Sequence, residues 1–174
     1  MHRIFRPGRK VFISKPINHF ELEEGASKTF LMGGGIGVTP MIAFAHRLFA
    51  KKKEFEPHYS ARQANSAGYL SDLVAVPWAN RVKYYFSSQG QYADFKWILK
   101  GYCKDWHVYA CGPHRYMEGV IEAALAEGSP EDATHVEYFS RPKVPEYENH
   151  DFRLKLEKSG KEIAVPAEKD AASV

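Results

Sequence analysis

Met32-Gly-Gly-Gly-Ile-Gly-Val-Thr-Pro-Met41 is the stretch on which the fold turns. Before it, Thr29–Met32 reads as a short buried strand. After it, Ile42, Ala45, Leu48 and Phe49 recur at helical spacing and give a helix over Pro40–Ala50 one apolar face. Thr39 is the expected N-cap, and Pro40 at the first helical position gives up no needed hydrogen bond. The glycines therefore fall at a strand-to-helix corner.

Outward from that corner the pattern repeats. Strands are predicted at Glu56–Ala61, Val82–Phe86, His107–Cys111 and Thr134–Tyr138. Helices are predicted at Ala67–Ala75, Ala93–Leu99 and Arg115–Glu127, the last with Met117, Val120, Ile121, Ala124 and Leu125 inward and Gly128 as its C-cap. This alternation predicts an α/β fold: a five-stranded parallel sheet with flanking helices and right-handed crossovers. Asp72 and Asp94 read as capping or surface groups.

The flanks differ from this core. Lys10–Ser14 is a short β-prone run, followed by Lys-Pro-Ile-Asn-His-Phe20. Residues 141–150 are polar and hold Pro142 and Pro145, an extended linker. Phe152 to Val165 alternates about a turn at Lys158-Ser-Gly-Lys161, a β-hairpin, and a lone hairpin is marginal in water. Asp170 to Val174 looks like the start of a helix, so the sequence is expected to continue.

Composition sets bounds. With 174 residues, 44% hydrophobic and a net charge of +3, the chain holds one full domain with some length over. No stretch reaches the roughly 18 apolar residues of a membrane span. The basic run Lys51–Lys53 sits at a helix end, where cations suit the dipole, so no nucleic-acid partner is expected. Two cysteines, Cys103 and Cys111, make neither a disulfide framework nor a metal site, and a cytoplasmic setting fits. His107 and His135 read as structural. No Gly-x-Ser-x-Gly is present, which excludes that hydrolase reading.

The glycine corner has chemistry available to it. A diphosphate is gripped by backbone N–H groups, which approach closely only where side chains are missing, and it gains from a helix N-terminus. The spacing is neither G-x-G-x-x-G nor a P-loop. A second signal, Tyr109-Ala-Cys-Gly-Pro113, closes the fourth strand, and ligands of open α/β sheets sit over such strand ends. Cys111 reads either as a small core residue or as a polarisable contact for a nicotinamide ring.

Taken together, Gly34-Gly-Ile-Gly-Val-Thr-Pro-Met41 and Cys111-Gly-Pro113 resemble the ferredoxin–NADP reductase superfamily, in its phthalate dioxygenase reductase and vanillate O-demethylase reductase branch. Ser14-Lys-Pro-Ile-Asn-His-Phe20 is similar to the segment that closes that branch's flavin barrel, and His135-Val-Glu-Tyr-Phe139 resembles its end-of-domain signature. The resemblance implies four parts: residues 1–25 the end of a flavin-binding barrel, 26–140 the NAD(P)-binding domain, 141–150 a linker, and 151–174 the first hairpin of a β-grasp [2Fe–2S] ferredoxin domain. It implies NADH (NADPH possible) as donor, FMN and [2Fe–2S] in the parent protein, and a Rieske-type oxygenase or demethylase as partner. The flavin turns a two-electron donor into a one-electron supply.

By the same resemblance, Gly34, Gly35, Ile36, Gly37, Val38, Thr39 and Pro40 bind pyrophosphate, and Cys111, Gly112, Pro113 and Met117 lie by the nicotinamide. Ser60 and Arg62 meet the adenosine ribose, where Arg62 reaches a 2′-phosphate or stacks on adenine. Cys111, Phe139 and Thr39 are the residues expected nearest the hydride transfer, with Phe139 by the flavin face. The main flavin-binding residues and the cluster cysteines are absent, since a plant-type cluster needs four thiolates. The chain alone is therefore expected to be colourless and unable to reduce ferricyanide or cytochrome c with NADH. Two other readings remain: a non-catalytic nucleotide-binding or docking fragment, and an FAD-containing relative without a ferredoxin domain.

Overall fold

A computed structural model describes residues 8–139 and 150–169. The chain divides into two compact units, Met1–Phe139 and Ser140–Val174.

The first unit is built on five parallel strands: β1 Lys28–Gly34, β2 Glu54–Ala61, β3 Lys83–Phe86, β4 Trp106–Cys111 and β5 Thr134–Glu137. Their order is β3-β2-β1-β4-β5. The central strand β1 is buried along nearly its whole length, as its apolar Phe-Leu-Met run requires when both faces are covered. Helix α1 (Val38–Ala50) covers one face, where Leu31, Phe55, Tyr59 and Tyr109 pack with Met41, Ala45 and Leu48. Helices α3 (Phe95–Ile98) and α4 (His114–Ala126) cover the other, where Phe30, Met32, Val108 and Ala110 pack with Leu99, Met117 and Val120. Among the described residues no helix is long and apolar enough to cross a membrane.

The element types follow the sequence pattern, and their details depart where tertiary bonds intervene. Helix α1 begins two residues early, with Gly37 as its N-cap and no side-chain cap. Thr39 is thus inside the first turn, its hydroxyl donating to the Ile36 carbonyl at 3.0 Å rather than capping. Pro40 remains in the first turn, where its missing N–H costs nothing. The buried stripe of α1 is Val38, Met41, Ala45 and Leu48, and Phe49 is exposed. In α4, Ala123 takes the inward place expected of Leu125, which is exposed.

The helix expected over Ala67–Ala75 shrinks to α2, Leu70–Leu73. Tyr69 before it takes a left-handed conformation (φ 61), and the Tyr59 hydroxyl donates to the Gly68 carbonyl at 2.9 Å. That tie holds Gly68 and Tyr69 out of any helix. Asp94 caps α3 by accepting from the Trp97 N–H at 3.1 Å, which removes Ala93 from the helix. Lys10–Ser14 forms no strand: it is exposed and has no neighbouring strand among the described residues.

Both long helices end in the same way. At α4, the Ser129 N–H bonds to Ala124 and the Gly128 N–H to Leu125, with Gly128 left-handed (φ 84). At α1, Lys53 and Lys52 make the corresponding bonds to Leu48 and Phe49, and Lys52 sits at φ 56. A lysine there carries the Cβ strain that glycine avoids. Lys52→Gly is expected to raise stability by about 0.5–1 kcal/mol, read as a higher urea midpoint. A lower midpoint would contradict this account of the helix end. The neighbouring Lys51 ammonium and Arg47 guanidinium both bind the Glu24 carboxylate, which Lys51 and then Arg47 hold below its ordinary pKa.

The second unit holds a two-stranded antiparallel hairpin, β6 Phe152–Lys155 and β7 Glu162–Val165, with Leu154 opposite Ile163. Gly160, at φ 66, makes the turn. The linker expected at 141–150 lies outside the described residues apart from His150, as does the helix start expected at 170–174.

Candidate nucleotide-binding site

From β1 the chain winds outward through β2 to β3, then returns to place β4 on the other side of β1. The strand order therefore reverses between β1 and β4, and a crevice opens over their carboxyl ends. Gly33 stands opposite Cys111 there.

Two turns meet at this crevice, one after β1 and one after β4, and they interlock through missing side chains. A Cβ on Gly37 would lie 2.1 Å from the Cys111 carbonyl oxygen and 2.7 Å from the Gly112 nitrogen. One on Gly34 would lie 3.0 Å from Pro113 Cδ, and one on Gly112 the same distance from Gly34 Cα. Gly35 differs: it is left-handed (φ 57), with open space around its Cβ position. Helices α1 and α4 both start at this edge, each of 13 residues, without a side-chain cap and without an acidic residue in the first turn. Their unsatisfied N–H groups favour an anion there.

Beside the turns, on the α4 face, lies a cavity of about 400 Å³. Its wall comes from Gly34 and Gly35, from Ser60, Ala61 and Arg62 at the end of β2, from Tyr85 and Ser87 around β3, and from Pro113 and Tyr116. Gln91, Tyr92, Ala93 and Phe95 close the far side, Phe95 meeting the Tyr116 ring edge-on at 5.1 Å. The hydroxyls of Ser60 and Tyr116 are buried without a partner at hydrogen-bond geometry. Burial pushes the Tyr116 phenol upward, and Ser60 lies near enough to oppose that. Two orphaned hydroxyls on a largely apolar wall suit a ligand that brings its own polar groups.

Of the residues singled out in the sequence, Gly34, Gly35, Ser60, Arg62 and Pro113 line the cavity, and Gly37, Cys111 and Gly112 form the interlocked floor of the corner. Ile36 is 61% exposed, while Val38 is buried in the α1 core. Pro40 is half-buried in the first turn of α1. Met117 is also buried, packed among Leu99, Val108 and Val120, so it belongs to the core and not to the cavity wall. Phe139 is exposed beyond the end of β5. Burial, then the Glu137 carboxylate opposite it, pushes the Cys111 thiol up to about 11, so it stays protonated at neutral pH. The sequence reading missed Tyr85, Tyr92, Phe95 and Tyr116. Tyr85 was accessible as a residue near the carboxyl end of a strand, and Tyr116 as the first-turn residue after Cys-Gly-Pro.

Against these geometries, known proteins compare as follows. No protein-family model matches the chain. Vanillate O-demethylase oxidoreductase of Pseudomonas putida is 34% identical over all of this chain and 55% of its own length. The protein of the same name from another Pseudomonas species is 31% identical over all of this chain and 56% of its own. Among solved structures, phthalate dioxygenase reductase, described as modular for electron transfer from pyridine nucleotides to [2Fe–2S], matches with a TM-score of 0.68 and 28% identity, over 92% of this chain and 50% of that one. The chain is similar to these reductases over its whole length. Its five-stranded parallel sheet with flanking helices is the ferredoxin-reductase-like fold that it shares with the phthalate dioxygenase reductase structure. It spans about half the length of the curated relatives it matches.

The described residues of this reductase homologue fit a nucleotide, through the Cβ-free corner and the orphaned hydroxyls. They do not fit an iron–sulfur cluster. The sequence has only two cysteines, one exposed and one buried, and no cluster of three metal-ligating side chains occurs among the described residues.

Two histidines titrate low. Burial lowers His58 despite Glu56 beside it, and burial, then the adjacent His107, lowers His135. His135 Nε2 lies 2.9 Å from His107 Nδ1, and its ring stacks on Tyr109 at 4.3 Å. The unfolded chain takes up protons near 6.5 that the folded reductase homologue refuses until lower pH. Stability is therefore full above 6.5 and declines as pH falls from there toward the folded values. The urea midpoint is expected to be higher at about pH 7.5 than at about pH 5.5, and His58→Asn should shrink the gap. Equal midpoints at the two pH values would refute this.

Proposed function

We propose that this chain is the pyridine-nucleotide-binding part of an NAD(P)H-dependent flavoprotein reductase. In the whole protein, electrons would pass from nicotinamide through FMN to a [2Fe–2S] centre and on to a Rieske-type oxygenase or demethylase. The observation that carries this reading is the interlocked glycine corner beside a cavity with two unpartnered hydroxyls.

In this reading, backbone N–H groups of the Gly34–Gly37 turn and of the α1 N-terminus hold the diphosphate. Arg62, exposed at the cavity edge, supplies the positive charge, and Ser60 and Tyr116 satisfy ligand polar groups. Cys111 supports the turn near the nicotinamide through its backbone carbonyl against Gly37, and its protonated thiol does not act as a nucleophile. A bound flavin would accept hydride and release single electrons. By the resemblance, that flavin would lie by Thr39 and the exposed Phe139 ring. The same resemblance divides the chain into a barrel end at 1–25, the nucleotide domain at 26–140, a linker at 141–150 and a ferredoxin hairpin at 151–174. A cytoplasmic setting suits its two free thiols.

Calorimetric titration with NADH and NADPH tests the reading. Micromolar to sub-millimolar binding is expected, lost in Gly34→Val, whose side chain would meet Pro113 and Tyr116. Addition of the flavin-binding domain should then give NADH-dependent reduction of cytochrome c. Binding without any such reduction would favour a docking or storage role, and no binding would end the nucleotide reading.

A further inference from the structure

The Tyr85 hydroxyl lies 3.0 Å from His58 Nδ1, and His58 Nε2 lies 3.1 Å from Glu56 Oε1. The His58 side chain has no exposed surface. Glu56 is also bound by the ammoniums of Lys28, at 2.9 Å, and Lys83. These contacts give the chain of hydrogen bonds a direction. The His58 N–H, then Lys83 and Lys28, hold the Glu56 carboxyl far below its ordinary range, so it is ionised and only accepts. Nε2 must then carry the imidazole proton. A neutral imidazole protonated at Nε2 has a bare Nδ1, which accepts from Tyr85. Burial keeps His58 neutral, and burial, then the Glu56 charge, keeps Tyr85 protonated. The single proton of Tyr85 is thereby committed to the interior. Tyr85 lines the cavity, and its oxygen keeps lone pairs but no free proton for a ligand there.

We propose that His58 is a positioning residue for the nucleotide: by holding the Tyr85 proton it makes that part of the cavity wall an acceptor, which takes a hydroxyl or amino group of the ligand and rejects a phosphate oxygen. This inference rests on the nucleotide reading and deepens it. Ser60 and Tyr116 lie near each other and have no other partner, so either hydroxyl can turn to donate or accept, whereas the Tyr85 hydroxyl has its polarity fixed by His58. Arg62 attracts phosphate of any kind, and Tyr85 sorts phosphates by position.

The test is calorimetric titration of the chain with AMP and with adenosine 2′,5′-bisphosphate, which differ by one phosphate. Wild type should bind AMP at least about tenfold tighter. His58→Leu frees the Tyr85 proton and should bring the two affinities within about threefold. His58→Asn, whose amide oxygen takes the place of Nδ1, should keep most of the preference, a rescue that a purely structural role does not predict. Tyr85→Phe should weaken AMP about fivefold, and adding His58→Leu to it should change nothing more. An unchanged preference in a folded His58→Leu overturns the proposal, as does a wild type that favours the bisphosphate. If His58→Leu does not fold, a Tyr85→Phe variant that keeps the wild-type preference overturns it equally. A wild type that binds neither probe defeats the nucleotide reading itself.

Discussion

Gly37→Ala should destabilise the protein by about 3 kcal/mol or more and abolish measurable nucleotide binding. The reason is steric and not conformational. Gly37 has helical angles (φ −64, ψ −3) that alanine adopts freely. Its Cβ, however, would stand 2.1 Å from the Cys111 carbonyl oxygen and 2.3 Å from the carbonyl carbon. Both atoms are backbone of the buried strand β4, which hydrogen-bonds to β1 and β5 and cannot move aside alone. The turn after β1 must therefore lift away, opening the α1 N-terminus and the cavity wall together. Gly35→Ala is the control. It has open space but a positive φ of 57, so it should cost only about 1 kcal/mol and leave the corner closed. Urea midpoints and NADH titrations of the two variants decide the matter. A Gly37→Ala protein within about 0.5 kcal/mol of wild type would mean the two turns do not interlock as described.

Arg62→Glu is expected to weaken NADH and NADPH binding by about a hundredfold with little change in stability. Arg62 is exposed at the end of β2, and no carboxylate lines the cavity among the described residues. Among the described residues its guanidinium is also the one cation that lines the cavity. Loss of charge-assisted bonds to phosphate removes about 1.5–3 kcal/mol, and the new carboxylate adds repulsion. Because the site is open to solvent, the effect should be largest at low salt and fade as salt rises. Affinity that is equal in both proteins at low salt would remove Arg62 from the site.

How much of this was legible beforehand depended on the range of the interaction responsible. The five strands and the glycine corner rest on local pattern: apolar runs, punctuating glycines and helical spacing. Those signals lie within a dozen residues and survived folding. Tyr69 illustrates the opposite case. Nothing in Ala67-Gly-Tyr69 announces a left-handed corner, and the bond that holds it comes from Tyr59 on another strand. For Met117 helical spacing already gave an inward side chain, while the resemblance put it by the ligand; the packing of α4 on the sheet places it in the core. The aromatic half of the cavity was hidden because Tyr85, Phe95 and Tyr116 converge from three separate elements, β3, α3 and α4, only once the sheet has assembled.

By itself, then, the sequence determined the α/β class, the parallel order of elements and the need for bare backbone at Gly34–Gly37, because each is encoded by neighbours along the chain. Only the tertiary structure decided that Gly37 seats on the Cys111 carbonyl, that Cys111 stays a protonated thiol, and that the Tyr85 hydroxyl meets the buried His58 ring. Those facts depend on distances between strands and on burial, which arise only when the sheet has assembled and water has left its faces.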